Sequence, residues 1–289
     1  MLKSVLRRYL PALGKSWLMV LIFFAGSFLL AEIFSRFSGS FWRTSSFLYV
    51  CSFIPVAIFI FFDAKANAKT GQKGIPVNSP EFGKMNPIVF FILIALVIIA
   101  IAIVSEPVSS LIPMPDFIKD LLSKVFSGQT FADVLITTVI LAPLFEEFFC
   151  RGIICRGLLS RMAPWKAIVW SALIFAVLHG NPYQGIPAFV IGCFLGWVYY
   201  RTHCIWAPVF LHGVNNLFSM LITRLNPGLP VDGTLRDLIP GNYYYLLLGV
   251  SVAVIIVGIL LLHRYLSKKN TFKLSPSKIK NENNISVSY

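Results

Sequence analysis

Two glutamates interrupt an apolar stretch that runs from Val134 to Ile154. They are Glu146 and Glu147, and Arg151 follows one helical turn later. An ionisable residue is costly in hydrocarbon, so one placed there indicates a functional site. On a helix Glu147 and Arg151 share a face and can pair, whereas Glu146 is rotated by about 100° from Glu147. We expect Arg151 to hold Glu147 ionised and Glu146 to face a cavity as a general base for water.

Three further polar residues lie in later apolar segments. His179 ends the pattern Phe175-x-x-x-His179, and His212 and Asn216 stand four residues apart, on one helical face. His212 and Asn216 offer two donors, as an oxyanion hole requires. Glu146 and His179 are equally far from the turn at 162–163, so a helical hairpin would place them at similar depth.

Other uses of these side chains stay open at this point. The glutamates and Arg151 could form a purely structural ion-pair network, and the histidines and Asn216 could join neighbouring helices by hydrogen bonds. Glu146, His179 and His212 could bind zinc, although the chain has no His-Glu-x-x-His pattern. We expect no metal and no other cofactor.

Composition shows what surrounds these residues. Of the 289 residues 57% are hydrophobic and 13% are charged, the mean hydropathy is +0.77, and the net charge is +13. Such a chain belongs to the membrane class. Its Lys and Arg residues cluster between apolar segments, which indicates membrane topology and contact with anionic lipid. We therefore expect a lipid bilayer as a partner and no nucleic acid.

A spanning helix needs about 20 mostly apolar residues, and the chain offers about eight such segments. If the N-terminus is cytoplasmic, six of the 25 Lys and Arg residues face outward, at positions 36, 43, 119, 124, 224 and 236. The positive-inside rule then favours both termini inside the cell. The predicted fold is an all-α, multi-pass membrane protein with spans at 16–34, 46–62, 87–105, 130–161, 164–180, 184–201, 204–223 and 242–263.

The expected organisation is one membrane domain, 1–266, followed by a polar cytoplasmic tail, 267–289. We take the first apolar run as an uncleaved span, because it is too long for a signal peptide. The fourth span exceeds a membrane's thickness, so it is tilted or projects into the cytoplasm near 156–161. Segment 116–126 has apolar residues on one helical face and polar residues on the other, which predicts a helix lying on the membrane surface. It is either a connector or a lid over the site.

The motifs resemble a known family. Ala142-Pro-Leu-Phe-Glu-Glu-Phe-Phe-Cys-Arg151, Phe175-x-x-x-His179 and Ala207-Pro-Val-Phe-Leu-His-Gly-Val-Asn-Asn216 look like the three motifs of the CAAX protease and bacteriocin-processing family, also called Abi, which includes the type II CAAX prenyl endopeptidases. The resemblance covers 130–218, the family core. His203, before the third motif, stands where a small residue is expected.

The resemblance implies an eight-helix, glutamate-dependent, metal-independent intramembrane endopeptidase. By it, Glu146 and His179 activate water, while His212 and Asn216 stabilise the oxyanion. Glu147, Arg151 and Phe175 complete the motifs as supporting residues.

The expected function is hydrolysis of a peptide bond in a membrane-bound peptide or protein, such as a pheromone or bacteriocin precursor, in a bacterial plasma membrane. The alternatives are a non-enzymatic bacteriocin-immunity or scaffold protein and, with less support from the spacing, a proton-coupled transporter.

Overall fold

A computed structural model describes residues 2–37, 44–67, 74–127, 129–266 and 272 of the chain. These residues form helices and connecting turns, and no strand occurs among them, which confirms the all-α prediction. The helices up to the fourth predicted span are α1 (Leu2–Arg8), α2 (Leu13–Ser35), α3 (Ser45–Ser52), α4 (Ile54–Asn67), α5 (Pro87–Ser109) and α6 (Asp116–Ser127). The remaining ones are α7 (131–159), α8 (Pro164–Leu178), α9 (Pro182–Thr202), α10 (Trp206–Leu225), α11 (Leu235–Leu238) and α12 (Asn242–Tyr265).

Every predicted span coincides with helix, but the described helices divide into two kinds. Four segments are long and apolar enough to cross a membrane: Leu13–Ser35, Ser45–Asn67, Pro87–Val108 and Asn242–Tyr265. The helix Pro164–Leu178 is apolar but shorter. None of the three motifs lies in one of these four segments. The chain is a multi-pass membrane protein, while the eight spans and their direction stay predictions.

Local sequence signals set several helix ends. Asn86 caps α5, its side chain accepting from the Ile88 N–H at 2.9 Å, and Asn181 caps α9 through the Gln184 N–H at 3.0 Å. Both helices also begin with proline, which suits the first turn because the N–H it lacks is unpaired there. At the other end of α9, His203 adopts a left-handed conformation with φ 52° and stops the helix.

Helix α7, which carries the first motif, is not a regular α-helix. It contains two π-helical stretches, Leu135–Leu141 and Phe148–Cys155, on either side of the α-helical turn Ala142–Glu147. Proline has no N–H, so Pro143 cannot donate to the preceding turn. π-Turns inside helices are frequent at functional sites. Nothing in the 3.6-residue pattern of the sequence predicted them.

The C-terminal end of α7 is covered by the N-terminal segment. Arg156 is fully buried, and its five N–H groups donate to backbone carbonyls of Gly152, Arg7, Ile75, Leu6 and Tyr9. From the sequence we expect α7 to be tilted or to project into the cytoplasm near 156–161, and neither alternative predicts a partner for Arg156. The structure instead shows Arg156 joining α1 and the segment near Ile75 to α7.

Two peripheral predictions can be compared with the structure in part. Of the predicted tail, the structure describes only Phe272, whose buried ring stacks on His203 with centroids 4.0 Å apart. The tail therefore includes at least one packed residue, and its other residues lie outside the described ones. The predicted surface segment is helical as Asp116–Ser127, and Lys119 pairs with Asp232 at 2.8 Å.

Candidate active site

The centre of the candidate site is the carboxylate of Glu147, which is fully buried between two cationic or potentially cationic groups. Its Oε1 accepts from Arg151 Nη1 at 2.7 Å and lies 3.0 Å from Nδ1 of His212. Arg151 is also fully buried, and its Nη2 donates to the carbonyl of Gly192 at 2.9 Å. The predicted pairing of Glu147 and Arg151 is confirmed. The contact with His212 joins the first motif on α7 to the third on α10.

A close approach of two helices makes the contact with Gly192 possible. A Cβ atom at Gly192 would lie 3.2 Å from the Cβ of Ala172 and 3.2 Å from the Phe175 ring. Such a distance is tighter than ordinary van der Waals contact, so a larger residue would push α9 away from α8. Because α9 stays close, its backbone carbonyl reaches the guanidinium of Arg151.

Phe175, from the second motif, packs against the charged groups of the other two. The Arg151 guanidinium lies 4.6 Å from the centre of its ring, a cation–π contact. The ring also meets His179 and His212 edge-on, with centroids 5.0 Å and 5.3 Å away. Phe175 therefore fixes the planes of both histidines and shields the ion pair with an apolar wall.

Both histidines use Nδ1 for a contact within the protein and leave Nε2 free of one among the described residues. Nδ1 of His179 lies 2.9 Å from the carbonyl of Phe175. A carbonyl only accepts, so this Nδ1 carries the hydrogen, and Nε2 of the neutral ring is an acceptor. Nδ1 of His212 lies against Oε1 of Glu147, an oxygen that also accepts from Arg151, so this Nδ1 is the donor. In both rings Nε2 is the nitrogen left for chemistry.

Glu146 occupies a different environment from its neighbour. Its Oε1 accepts from the hydroxyl of Tyr49 at 2.5 Å, while its Oε2 is buried and has no hydrogen-bond partner in the described part of the chain. The prediction that Glu146 and Glu147 point in different directions is confirmed. Within the described ranges Glu146 shares no hydrogen bond with His179, so their joint action on water stays a prediction.

Asn216 is attached to the π-helical turn of α7. Its Nδ2 donates to the carbonyl of Thr138 at 2.8 Å, and its Oδ1 accepts from Asn215 at 3.1 Å. In this stretch Ala142 donates five residues back, to Thr137. The next N–H in that register would come from Pro143, which has none. The proline of the first motif thus leaves the Thr138 carbonyl available to the asparagine of the third.

The described contacts bring together Glu147, Arg151, Phe175, His179 and His212. An amide nitrogen has two hydrogens, so Asn216 can donate once to Thr138 and once to a substrate oxygen. No group of three His, Cys, Asp or Glu side chains suited to a metal ion occurs among the described residues. The expectation of a metal-independent site stays a prediction.

Sequence reasoning missed three partners of the predicted residues. Tyr49 is a single tyrosine in an apolar helix, and no spacing relates it to Glu146. The acceptors at Gly192 and Thr138 are backbone carbonyls, which every residue has. A search for polar side chains cannot find such groups before the helices are placed.

Comparison with known proteins gives one result. Residues 128–218 match the family described as type II CAAX prenyl endopeptidase Rce1-like. No curated protein and no solved structure matches the chain. The matched segment contains all three motifs, so the resemblance inferred from them is confirmed. Residues 128–218 of this multi-pass membrane protein are thus similar to the Rce1-like domain of type II CAAX prenyl endopeptidases.

Proposed function

We propose that this protein is a glutamate-dependent intramembrane endopeptidase that hydrolyses a peptide bond in a membrane-associated peptide or protein. The observation that supports it most is the contrast between the two glutamates. Both glutamates keep a buried Oε2 without a partner among the described residues. Oε1 of Glu147 is engaged by Arg151 and His212, whereas Oε1 of Glu146 accepts only from the neutral hydroxyl of Tyr49. A carboxylate that has an uncommitted oxygen and no ion-pair partner in the described part of the chain suits a general base.

In the proposed reaction Glu146 takes a proton from water as the water oxygen bonds to the scissile carbonyl carbon. The electron pair of the carbonyl double bond moves to its oxygen. His179 accepts the second hydrogen of the water at Nε2 and orients it. When the tetrahedral intermediate collapses, the C=O bond re-forms and the C–N bond breaks. The proton held by Glu146 passes to the leaving nitrogen, giving a carboxyl group and an amine.

His212 and Asn216 are the proposed oxyanion donors. Asn216 contributes the amide hydrogen that Thr138 does not use. His212 donates from Nε2 when both of its ring nitrogens carry hydrogen, and Nδ1 then donates to Glu147. Two preorganised donors are worth the most in a site that excludes water. Glu147 and Arg151 act indirectly, by fixing the charge and position of His212.

The finer points of the proposal concern membrane and substrate. We propose eight spans with both termini cytoplasmic in a bacterial plasma membrane, supported by the positions of Lys and Arg. The substrate class is a membrane-anchored peptide, such as a pheromone or bacteriocin precursor, or a prenylated CAAX protein. We propose catalysis without a metal, since Glu146 and His179 suffice to activate water.

The experiment compares membrane peptides by mass spectrometry in cells that express wild type, Glu146→Ala or His179→Ala at equal levels. Two matched controls change the same residue types away from the site. Glu106→Ala alters a glutamate that bonds Tyr244 and the Leu235 N–H, and His263→Ala alters an exposed histidine.

A peptide product that depends on Glu146 and His179, and survives both control changes, is the expected result. Removing a general base typically costs about 10²- to 10⁴-fold in rate, so the product should fall below detection. Equal peptide profiles in all strains would refute the protease. If a cellular phenotype then persisted in both site variants, an immunity or scaffold role would replace it.

A further inference from the structure

Helix α3 supplies the only side chain that hydrogen-bonds Glu146 among the described residues. Tyr49 OH donates to Oε1 of Glu146 at 2.5 Å. Tyr49 lies outside the segment 128–218 that matches the Rce1-like family. A contact to the proposed base therefore comes from the part of the chain in which no motif was recognised.

The contact distinguishes the two oxygens of Glu146. Oε1 is engaged by Tyr49, and Oε2 is buried without a partner among the described residues. A carboxylate can rotate about its last bond and exchange its oxygens. A short hydrogen bond to one oxygen restricts this rotation and selects which oxygen is presented to the reacting groups.

The helical turn that precedes Tyr49 is hydrogen-bonded to α7. Ser46 donates to Asp133 on α7, and Thr137 donates to Ser46 at 3.1 Å. Asp133 also accepts from the N–H of Ser45 at 3.0 Å, so it caps the start of α3. These bonds fix the N-terminal end of α3 against α7, the helix that carries Glu146.

Aromatic contacts fix the same face of α3 one turn below. The ring of Phe53 lies 5.5 Å from that of Tyr49, and it meets Phe145 and Phe149 of α7 at 5.3 Å and 6.2 Å. Ser46, Tyr49 and Phe53 are three and four residues apart, so they share one helical face. The whole face lies against α7.

Two other tyrosine–carboxylate pairs in the protein show what a structural pair looks like. Asp63 accepts from Tyr9 at 2.7 Å, and Lys15 donates to both of its oxygens. Glu106 accepts from Tyr244 through one oxygen and from the Leu235 N–H through the other. Both oxygens are engaged in each of these carboxylates. The pair with Tyr49 differs because one oxygen remains uncommitted.

We infer that Tyr49 is a positioning residue of the active site, which holds Oε1 of Glu146 so that Oε2 faces the water to be activated. The inference rests on the proposed function, since it assigns Glu146 its reacting oxygen. Tyr49 does not touch the substrate. It acts through Glu146, and α3 is the support that makes the base rigid.

The test measures kcat and KM for Tyr49→Phe in lipid nanodiscs, with an internally quenched CAAX peptide that carries a prenylated cysteine as the probe. Tyr244→Phe is the matched control, because it removes the same hydroxyl from a pair whose other oxygen is engaged elsewhere. Misplacement of a reacting group can cost about 100-fold, so we expect kcat to fall by about 10- to 100-fold with KM little changed. The control should change neither constant.

Two comparisons separate this inference from the proposed function. If Glu146→Gln retains the wild-type rate, the proposed function fails. If Glu146→Gln abolishes cleavage while Tyr49→Phe keeps its kcat, only the positioning role fails. The double variant should be no slower than Glu146→Gln alone, because the hydroxyl acts only through the carboxylate.

If the wild-type protein does not cleave the probe, the proposed function is contradicted for this substrate class. The contact between Tyr49 and Glu146 can then still be tested by a measurement that needs no substrate. 3-Fluorotyrosine at position 49 reports its hydrogen bond by ¹⁹F NMR. We expect its signal to move in Glu146→Gln and to stay in Glu106→Gln. A signal that ignores Glu146→Gln would overturn the inference.

Discussion

Arg151 and Arg156 are two fully buried arginines on the same helix, and they have opposite surroundings. All five N–H groups of Arg156 donate to neutral backbone carbonyls. Arg151 instead meets the carboxylate of Glu147, the carbonyl of Gly192 and the ring of Phe175, and its Nε has no partner in the described part of the chain.

The difference shows how a buried cation can serve structure or chemistry. Carbonyls cannot exchange protons in the physiological range, so the surroundings of Arg156 stay the same whatever is bound nearby. The partners of Arg151 include a carboxylate that also contacts His212, whose charge can change. Its unfilled Nε carries a desolvation cost of about 1–3 kcal/mol, as functional sites often do.

The largest effect on activity in this comparison is expected from Arg151→Gln. The change leaves Glu147 as a buried carboxylate without its cation, so His212 loses a fixed partner. We expect cleavage to fall by more than about 100-fold, with a loss of stability of about 3–5 kcal/mol. The measurements are initial rates in nanodiscs, corrected for folded protein, and thermal unfolding. If Arg151→Gln kept a turnover near that of wild type, Arg151 would be a structural residue like Arg156.

Arg156→Gln should have the reverse profile. Gln has two donors where Arg has five, so carbonyls of α1 and of the segment near Ile75 lose their partner. We expect a stability loss of about 3 kcal/mol, early proteolysis within α1, and a kcat per folded molecule close to wild type. Arg161→Gln, which removes a bond only to the Leu10 carbonyl, is the matched control. A large fall in kcat for Arg156→Gln would refute the distinction between a structural Arg156 and a functional Arg151.

The same comparison explains what the sequence could predict. Glu147 and Arg151 were paired correctly because an i, i+4 spacing on a helix brings two side chains together before any tertiary contact forms. Four of the five acceptors of Arg156 come from backbone positions about 80 and 150 residues away. Backbone carbonyls have no sequence signature, so this arginine was expected only to mark a cytoplasmic end.

The site was predictable to the same limited extent. Its residues on α7, α8 and α10 were found from unusual side chains in apolar segments. The structure joins Glu147 and Arg151 to Phe175, His179 and His212. The link from His212 to Glu147 was not predicted, because His212 had been grouped with Asn216 on its own helix. Tyr49 and the π-turns of α7 depend on how helices pack, which periodicity does not encode.

A smaller effect is expected at Phe175, which lies between the arginine and the two histidines. Phe175→Leu keeps the apolar wall but loses the cation–π contact and two edge contacts, each worth about 0.5–1.5 kcal/mol. We expect kcat to fall by about tenfold, with a modest loss of stability. Phe90→Leu is the control, since Phe90 is equally buried in a cluster away from the site. Equal losses of kcat in both variants would show that Phe175 is only a packing residue.

The smallest effect concerns the exposed pair between Lys119 on α6 and Asp232 in the segment before α11. The hydrogen bond that Lys119 donates to Asp232 lowers the pKa of the Asp232 carboxyl and raises the pKa of the Lys119 ammonium. The carboxylate contributes above its unfolded pKa of about 3.9 and is lost as pH falls through the lower folded value. The ammonium contributes below its unfolded pKa of about 10.4 and is lost as pH rises through the folded one.

The pair should therefore hold α6 to this segment between roughly pH 4 and 10. Asp232→Asn removes it at every pH, and Asp116→Asn, which alters a longer contact of 3.5 Å within α6, is the control. Hydrogen exchange of 116–127 should rise in Asp232→Asn and stay near wild type in the control. Exposed pairs contribute little, so cleavage should be unchanged if α6 is a connector. A change in kcat together with faster exchange would instead make α6 a lid, and an exposed ion pair would then control the site that Arg151 organises.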